Sequence, residues 1–209
     1  MPHPPYDHSA AVTHLRAGDP ALATVIDRVG PCTLEPRPAR SLFAALLRAI
    51  VYQQLNGKAA ATIHARVLAA LKPHGGATPA ALENTPDAAL RAAGLSRNKL
   101  LSARDLAAQC RAGAVPTVRA AQRLSDDELV ARLTAVRGIG PWTVHMLLIF
   151  NLGRPDVLPT GDYAVRLAFR KLYRKRQEPT PEAILRHARR WQPWRSVASW
   201  YLWRSLDVK

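Results

Sequence analysis

Apolar positions along the chain recur with the period of a helix. Phe43, Leu46, Leu47 and Ile50 follow an i, i+3, i+4, i+7 pattern, and Ala60, Ile63, Val67 and Leu71 nearly repeat it after a break at Asn56-Gly57. The stretches 95–110, 129–136, 142–150, 162–172, 181–191 and 194–206 read as further helices. Start signals agree with this periodicity. Asp19-Pro20, Thr85-Pro86 and Thr180-Pro181 each set a capping side chain before a proline at the first helical position. Ser125-Asp126-Asp127-Glu128 reads as a capping box, with acidic residues at the positive end of the helix it opens. Strand signals are nearly absent, so the pattern predicts an all-α fold.

Three connections rich in proline and glycine interrupt the helices, at 30–40, 72–79 and 151–161, and no repeat of fixed period appears. The last, NLGRPDVLPTG, is long for a helical bundle and delivers the chain to Gly161-Asp162-Tyr163, which marks it as a functional loop. Two helical subdomains flanking a cleft near this loop are expected, one from 1–40 with 152–209 and one from 41–151.

The 209 residues suffice for a core without covalent staples. Cys32 and Cys110 stand far apart without a CxxC or Cys/His pairing, which argues against a disulfide framework, a zinc site or an iron–sulfur cluster and for an intracellular compartment. No apolar run approaches the roughly 18 residues of a membrane span, and the N-terminal MPHPPYDHSA lacks the apolar core of a signal peptide. A soluble protein without a membrane partner is expected. Charge changes the picture further: 30 Lys and Arg oppose 15 acidic residues, a net +15, and only six of the cations are lysine. Such a potential favours polyanions, and arginine suits bidentate phosphate contact; a composition bias of the source is the bland alternative. Basic runs such as Arg170-Lys171 and Arg174-Lys175-Arg176 read as a solvated face that adds nonspecific attraction to DNA. The histidines, His3, His8, His14, His64, His74, His145 and His187, show no metal-ligand spacing.

The most informative stretch is LTAVRGIGPWTV, residues 133–144. A helix ends near Val136, Gly138 and Gly140 permit a tight turn with positive φ, and Pro141 starts the next helix. That is a helix-hairpin-helix over about 125–151. Close glycines let backbone N–H groups at the second helix's N-terminus approach a phosphate, with the helix dipole behind them. Arg137, Gly138, Ile139, Gly140 and Thr143 are the DNA-binding candidates here. Gly-x-Gly alone leaves an ordinary αα turn equally open; the charge and the downstream Asp162 favour DNA.

Helix-hairpin-helix, Gly/Pro-containing loop and Gly-Asp-Tyr together resemble the helix-hairpin-helix superfamily of base-excision DNA glycosylases. Within it, Tyr52-Gln53-Gln54-Leu55, the run from Gly94 to Lys99, Trp194-Arg195-Ser196 and Tyr201-Leu202-Trp203 are similar to the 3-methyladenine DNA glycosylase II (AlkA-type) branch in its compact form. The resemblance runs from about Leu42 to Trp203 and implies that Asp162 is the catalytic carboxylate. Cleaving an N-glycosidic bond builds positive charge on the sugar, which an ionised carboxylate stabilises, and a helix N-terminus favours that ionised form. On position alone, a mere N-cap is the favoured reading of Asp162; the hairpin in register favours catalysis.

The resemblance further implies a base pocket of Trp142, Met146, Tyr163 and Trp203. An alkylated purine is cationic, stacks on electron-rich rings and leaves without a dedicated general acid. Trp191 reads instead as core; Trp200, about 60° from Trp203 on a helical wheel, is left open. Gln54-Leu55 takes the place of the wedge that fills the gap left by a flipped nucleotide, with Leu55 the stronger candidate and a last core residue of its helix the equal alternative. Gln53 is placed on the opposite strand and Lys58 on a phosphate. Members that also cut the strand carry a lysine where this chain has Trp142, and no lysine lies between Lys99 and Lys171, so no lyase step is expected. The four-cysteine cluster of some members is missing. A monovalent cation, Na+ or K+, on the carbonyls of Val136, Gly138 and Ile139 is implied, and no required cofactor. The expectation is a monomer with no obligate protein partner that excises alkylated purines from double-stranded damaged DNA. A neutral damaged base such as uracil or ethenoadenine, and a noncatalytic lesion-binding module, remain as alternatives.

Overall fold

The computed structural model describes residues 7–208; residues 1–6 and Lys209, and with them His3, lie outside the described residues. The order of helices is α1 (His8–Gly18), α2 (Pro20–Val29), α3 (Leu42–Tyr52), α4 (Gly57–Leu71), α5 (Pro79–Asn84), α6 (Asp87–Ala92), α7 (Arg97–Arg111), α8 (Val118–Ala121), α9 (Asp126–Thr134), α10 (Pro141–Phe150), α11 (Tyr163–Leu172), α12 (Pro181–His187) and α13 (Arg195–Arg204). Single 3-10 turns occupy Lys72–His74 and Ala188–Trp191. No strand occurs among the described residues, and none of their helices is long and apolar enough to cross a membrane. The fold is all-α. Two compact units share the chain: Met1–Pro38 with Leu148–Lys209, and Ala39–Leu147, the boundary falling inside α10.

In the 39–147 unit α3 packs against α4 and α7, and α7 against α5. The α3 stripe of Phe43, Leu46, Leu47 and Ile50 is buried, as are Ala60, Val67 and Leu71 of α4, while Ile63 is half-buried. Arg104 of α7 crosses the junction of α5 and α6, donating to the carbonyls of Leu82 and Thr85 and pairing with Asp87 at 3.0 Å. One start signal is misread at that junction. Thr85 closes α5, its hydroxyl donating to the Ala81 carbonyl at 2.7 Å, and Pro86 takes the cap of α6 in an extended conformation. The Thr85 side chain turns back onto α5, and the proline at the cap position of α6 supplies no side-chain acceptor. The capping Thr-Pro pair lies instead at Thr78-Pro79. The Ser125–Glu128 capping box and the Asp19 and Thr180 caps form as expected.

In the other unit α2 and α11 pack on α13, and α1 on α2. Asp19, only 2% exposed, does more than cap α2. Its Oδ1 accepts from the Leu22 N–H, and its Oδ2 accepts from Tyr173 Oη at 2.7 Å, Trp191 Nε1 at 2.9 Å and His187 Nε2 at 2.9 Å. Trp191 is therefore core, as its position predicts; Trp200 is also buried. Burial pushes the Asp19 carboxyl up, but the bonds from Tyr173, Trp191, His187 and Leu22 outweigh it, so its pKa lies below the ordinary value. A depressed folded-state pKa means stability present above the unfolded-state pKa and lost as pH falls through the folded one. Asp19→Ala leaves four donors, the Leu22 N–H and the three side chains, without their acceptor and is expected to cost about 3–5 kcal/mol in urea unfolding at neutral pH. The gap to wild type should narrow below about pH 4; a gap unchanged by acid would mean that the carboxylate charge contributes nothing.

Candidate active site and nucleic-acid interface

The 151–161 loop is tied down along its length, which is how it can deliver a side chain to a fixed place. At its start Asn151 Nδ2 donates to the Arg37 carbonyl at 3.0 Å, and the Arg37 N–H donates to the Phe150 carbonyl at 2.7 Å. In its middle, Arg195 at the start of α13 grips Asp156 through Nε at 2.7 Å and Nη2 at 2.8 Å. Ser196 Oγ accepts from the Val157 N–H at 3.0 Å and donates to the Arg154 carbonyl at 2.6 Å. Arg195 and Ser196 thus hold the loop, a role the sequence motif did not disclose.

The loop ends on Asp162, the N-cap of α11. Its Oδ1 accepts from the Val165 N–H at 2.8 Å and from Trp203 Nε1 at 3.1 Å. Trp203, half-buried on α13, stacks on Phe150 with centroids 5.8 Å apart and planes 25° from parallel. The half-buried carboxylate is thereby fixed by the helix behind it and an aromatic N–H beside it. The cap uses the same carboxylate as the catalytic reading of Asp162 and does not exclude it. Tyr163, next along, is 71% exposed. Phe150 was not singled out from sequence; only its place at the end of an apolar helix hinted at a packing role.

In the 39–147 unit the hairpin joins α9 to α10. α9 stops at Thr134, with Ala135 as its cap, two residues before the expected end at Val136. Gly138 has φ +77°, whereas Gly140 is not among the positive-φ glycines. One left-handed residue is enough to reverse the chain, and the Gly140 carbonyl already accepts the Val144 N–H in the first turn of α10. A Cβ at Gly138 would stand 2.7 Å from Ser102 Oγ of α7, so α7 closes against the turn. Asp105, also on α7, accepts from the Arg137 N–H at 2.7 Å, and the Ile139 N–H donates to the Val136 carbonyl at 3.0 Å. Ile139 and Thr143 are buried. These bonds engage the Arg137 and Ile139 N–H groups within the protein. The N–H groups of Gly138 and Gly140 make no hydrogen bond among the described residues, and both sit at the positive end of α10. Of the carbonyls implied for a monovalent cation, those of Val136 and Gly138 each accept one hydrogen bond, which leaves each oxygen a second lone pair. Trp142, 48% exposed, heads α10, and Met146 lies half-buried one turn on.

The segment after α3 belongs to the same unit. Gln53 caps α3, Gln54 takes the left-handed region at φ +54°, Leu55 stands 39% exposed and Asn56 caps α4. Leu55 is therefore not the last core residue of its helix. A non-glycine residue at positive φ stores strain, which is the kind of local cost that functional loops carry. Gln54 and Lys58 are exposed. Gln53 is half-buried, and its Nε2 donates to the Gly138 carbonyl at 2.8 Å. The amide fastens the wedge segment to the hairpin. Behind it Lys99 Nζ donates to the Val51 carbonyl at 2.7 Å, capping α3, and burial pushes that lysine's pKa down.

Residues 47–193 match the HhH-GPD superfamily base excision DNA repair protein, and the chain belongs to that superfamily. Among curated relatives, DNA-3-methyladenine glycosylase 1 of Schizosaccharomyces pombe is 39% identical over 177 residues, 82% of this chain and 78% of that one. The solved structure of the S. pombe 3-methyladenine DNA glycosylase in complex with abasic DNA is 36% identical, covering 95% of this chain and 97% of that one at a TM-score of 0.79. A DNA-3-methyladenine glycosidase from Bacillus halodurans is 33% identical at a TM-score of 0.82, covering 93% and 88%.

Proposed function

We propose that this protein is a monofunctional DNA glycosylase of base excision repair that hydrolyses the N-glycosidic bond of flipped-out alkylated purines, of the 3-methyladenine and 7-methylguanine type, and leaves an abasic site. The observation that carries the reading is Asp162, half-buried at the head of α11 with its Oδ1 bonded to the Val165 N–H and to Trp203. Names of relatives similar over most of the chain support the substrate class. In this reading Asp162 stabilises the positive charge that grows on the sugar and orients the attacking water. Water's oxygen bonds the anomeric carbon and its surplus proton passes to solvent, while the bond to the base breaks and its electron pair neutralises the cationic purine. Trp142, Met146, Tyr163 and Trp203 are the residues assigned to the base, where rings favour a cation. Gly138 and Gly140 present N–H groups to a backbone phosphate, with Arg137 and Lys58 adding charge, and Leu55 with Gln54 fills the vacated stack. The protein works inside the cell on double-stranded damaged DNA as a monomer. No cofactor is required, and Na+ or K+ on the hairpin carbonyls would polarise it toward phosphate.

Trp142 occupies the position where strand-cutting members carry lysine, so the product should be an intact strand. Duplex DNA treated with a methylating agent should break after alkali and not before, and borohydride should trap no covalent complex. A trapped complex would overturn the monofunctional reading. Absence of released base, despite a gel shift, would favour a lesion-binding module. Chromatography of released bases should show charged methylpurines well ahead of uracil or ethenoadenine, since a neutral base gains less from the rings.

A further inference from the structure

A second feature of the 1–38 and 148–209 unit is unrelated to Asp162. The turn after α11, together with α12 and the 3-10 turn that follows, borders an open hollow of about 730 Å3, within the size range of small-ligand sites. Lys175, Arg176, Arg186 and Arg190 line it, and Glu178 is the only acid among the lining residues. Glu178 is committed elsewhere, 2.6 Å from Arg166 Nη2. Two further acids are near: Glu182, exposed one turn before Arg186 on α12 and within electrostatic reach of it, and Asp19, buried behind His187. None of the four cations is in an ion pair among the described residues. Four like charges around one space repel each other unless an anion occupies it.

The floor of this cavity is built rather than incidental. His187 lines it, and its Nε2 is held by the buried Asp19 carboxylate at 2.9 Å. Its ring is packed 4.2 Å from Tyr173, 5.1 Å from Phe169 and 5.5 Å from Trp191, measured between centroids. Arg190 is oriented in turn, its Nε donating to the His187 carbonyl at 3.2 Å. A guanidinium fixed at Nε loses little freedom when its fork closes on an oxyanion.

We propose that this cavity is an anion site that takes a phosphoryl group on the Arg186 and Arg190 forks, with Lys175 and Arg176 at its rim. The proposal neither uses the hairpin residues nor depends on the glycosylase reading. Two sources share the chemistry, a free di- or triphosphate and the DNA backbone.

Inorganic pyrophosphate, titrated at constant ionic strength with chloride as the balancing anion, is the direct probe. Wild type should show saturable heat and a rise in melting temperature. The exposed double substitution Arg186→Glu with Arg190→Glu should weaken that binding at least tenfold. Arg119→Glu with Arg123→Glu, exposed and on the other unit, makes the same change in net charge and should leave it intact. Equal losses in both variants, or no saturable binding to wild type, would overturn the proposal. Binding of undamaged duplex then separates the sources. A salt slope lower by about one to two in the cavity variant than in its charge-matched control assigns the site to the DNA backbone, and an unchanged slope assigns it to a free phosphate ligand.

Discussion

Asp162→Asn should excise alkylated purines about 100- to 1,000-fold more slowly than wild type in single turnover while binding duplex DNA as well as before. The substitution is informative because of what the carboxylate already does. Its Oδ1 accepts from the Val165 N–H and from Trp203 Nε1, and an asparagine carbonyl oxygen can accept both bonds. Cap, stack and backbone then persist, and only the charge is lost. Asp162→Ala removes the acceptor as well, and should lower stability by about 1 kcal/mol as a lost N-cap in addition to abolishing turnover. The pair of variants therefore separates the two roles of one side chain. Retention of more than a tenth of the wild-type rate by Asp162→Asn would reduce Asp162 to a cap. Trp203→Phe keeps a ring to stack on Phe150 but loses the N–H, and is expected to fall between wild type and Asp162→Asn.

What could be read in advance was local. Helical period, the capping box at Ser125 and the proline starts at Asp19 and Thr180 depend on neighbours within a turn or two, and they appear where expected. The head of α11 was legible for the same reason, since Gly161-Asp162-Tyr163 carries its own cap signal. The bond from Gln53 to the hairpin was not legible, because its partner is 85 residues away and nothing near position 53 encodes a carbonyl at Gly138. Ser102 and Asp105, which close α7 on the hairpin, were missed on the same ground. Gly140 was over-read: two glycines permit two left-handed residues, but the turn needs one. The Asp19 cluster shows how far a local signal can reach. Its cap was visible from the adjoining proline, whereas Tyr173, His187 and Trp191 converge on it only through the packing of the unit.

The hairpin provides the second large effect. Gly138→Ala should weaken binding of undamaged duplex at least tenfold and lower the salt slope by about one phosphate contact. Two independent costs meet at this residue. An alanine at φ +77° costs about 1–2 kcal/mol, and its Cβ would stand 2.7 Å from Ser102 Oγ, closer than the turn and α7 can remain without shifting. Ser102→Ala in the same background removes the oxygen but leaves the Ser102 Cβ at 3.4 Å and the backbone strain in place. Recovery should therefore be partial. Gln53→Ala approaches the same turn from the wedge side. It deletes the donor to the Gly138 carbonyl and should weaken binding about three- to tenfold, the range of one net hydrogen bond. Because both changes release the same peptide, their effects should combine to less than the product of the two, whereas Gly138→Ala with Lys58→Ala should multiply. Wild-type affinity and salt slope in Gly138→Ala would remove the hairpin from phosphate binding; multiplicative effects of Gln53→Ala and Gly138→Ala would mean that the wedge segment and the hairpin act on DNA separately, despite the bond that joins them.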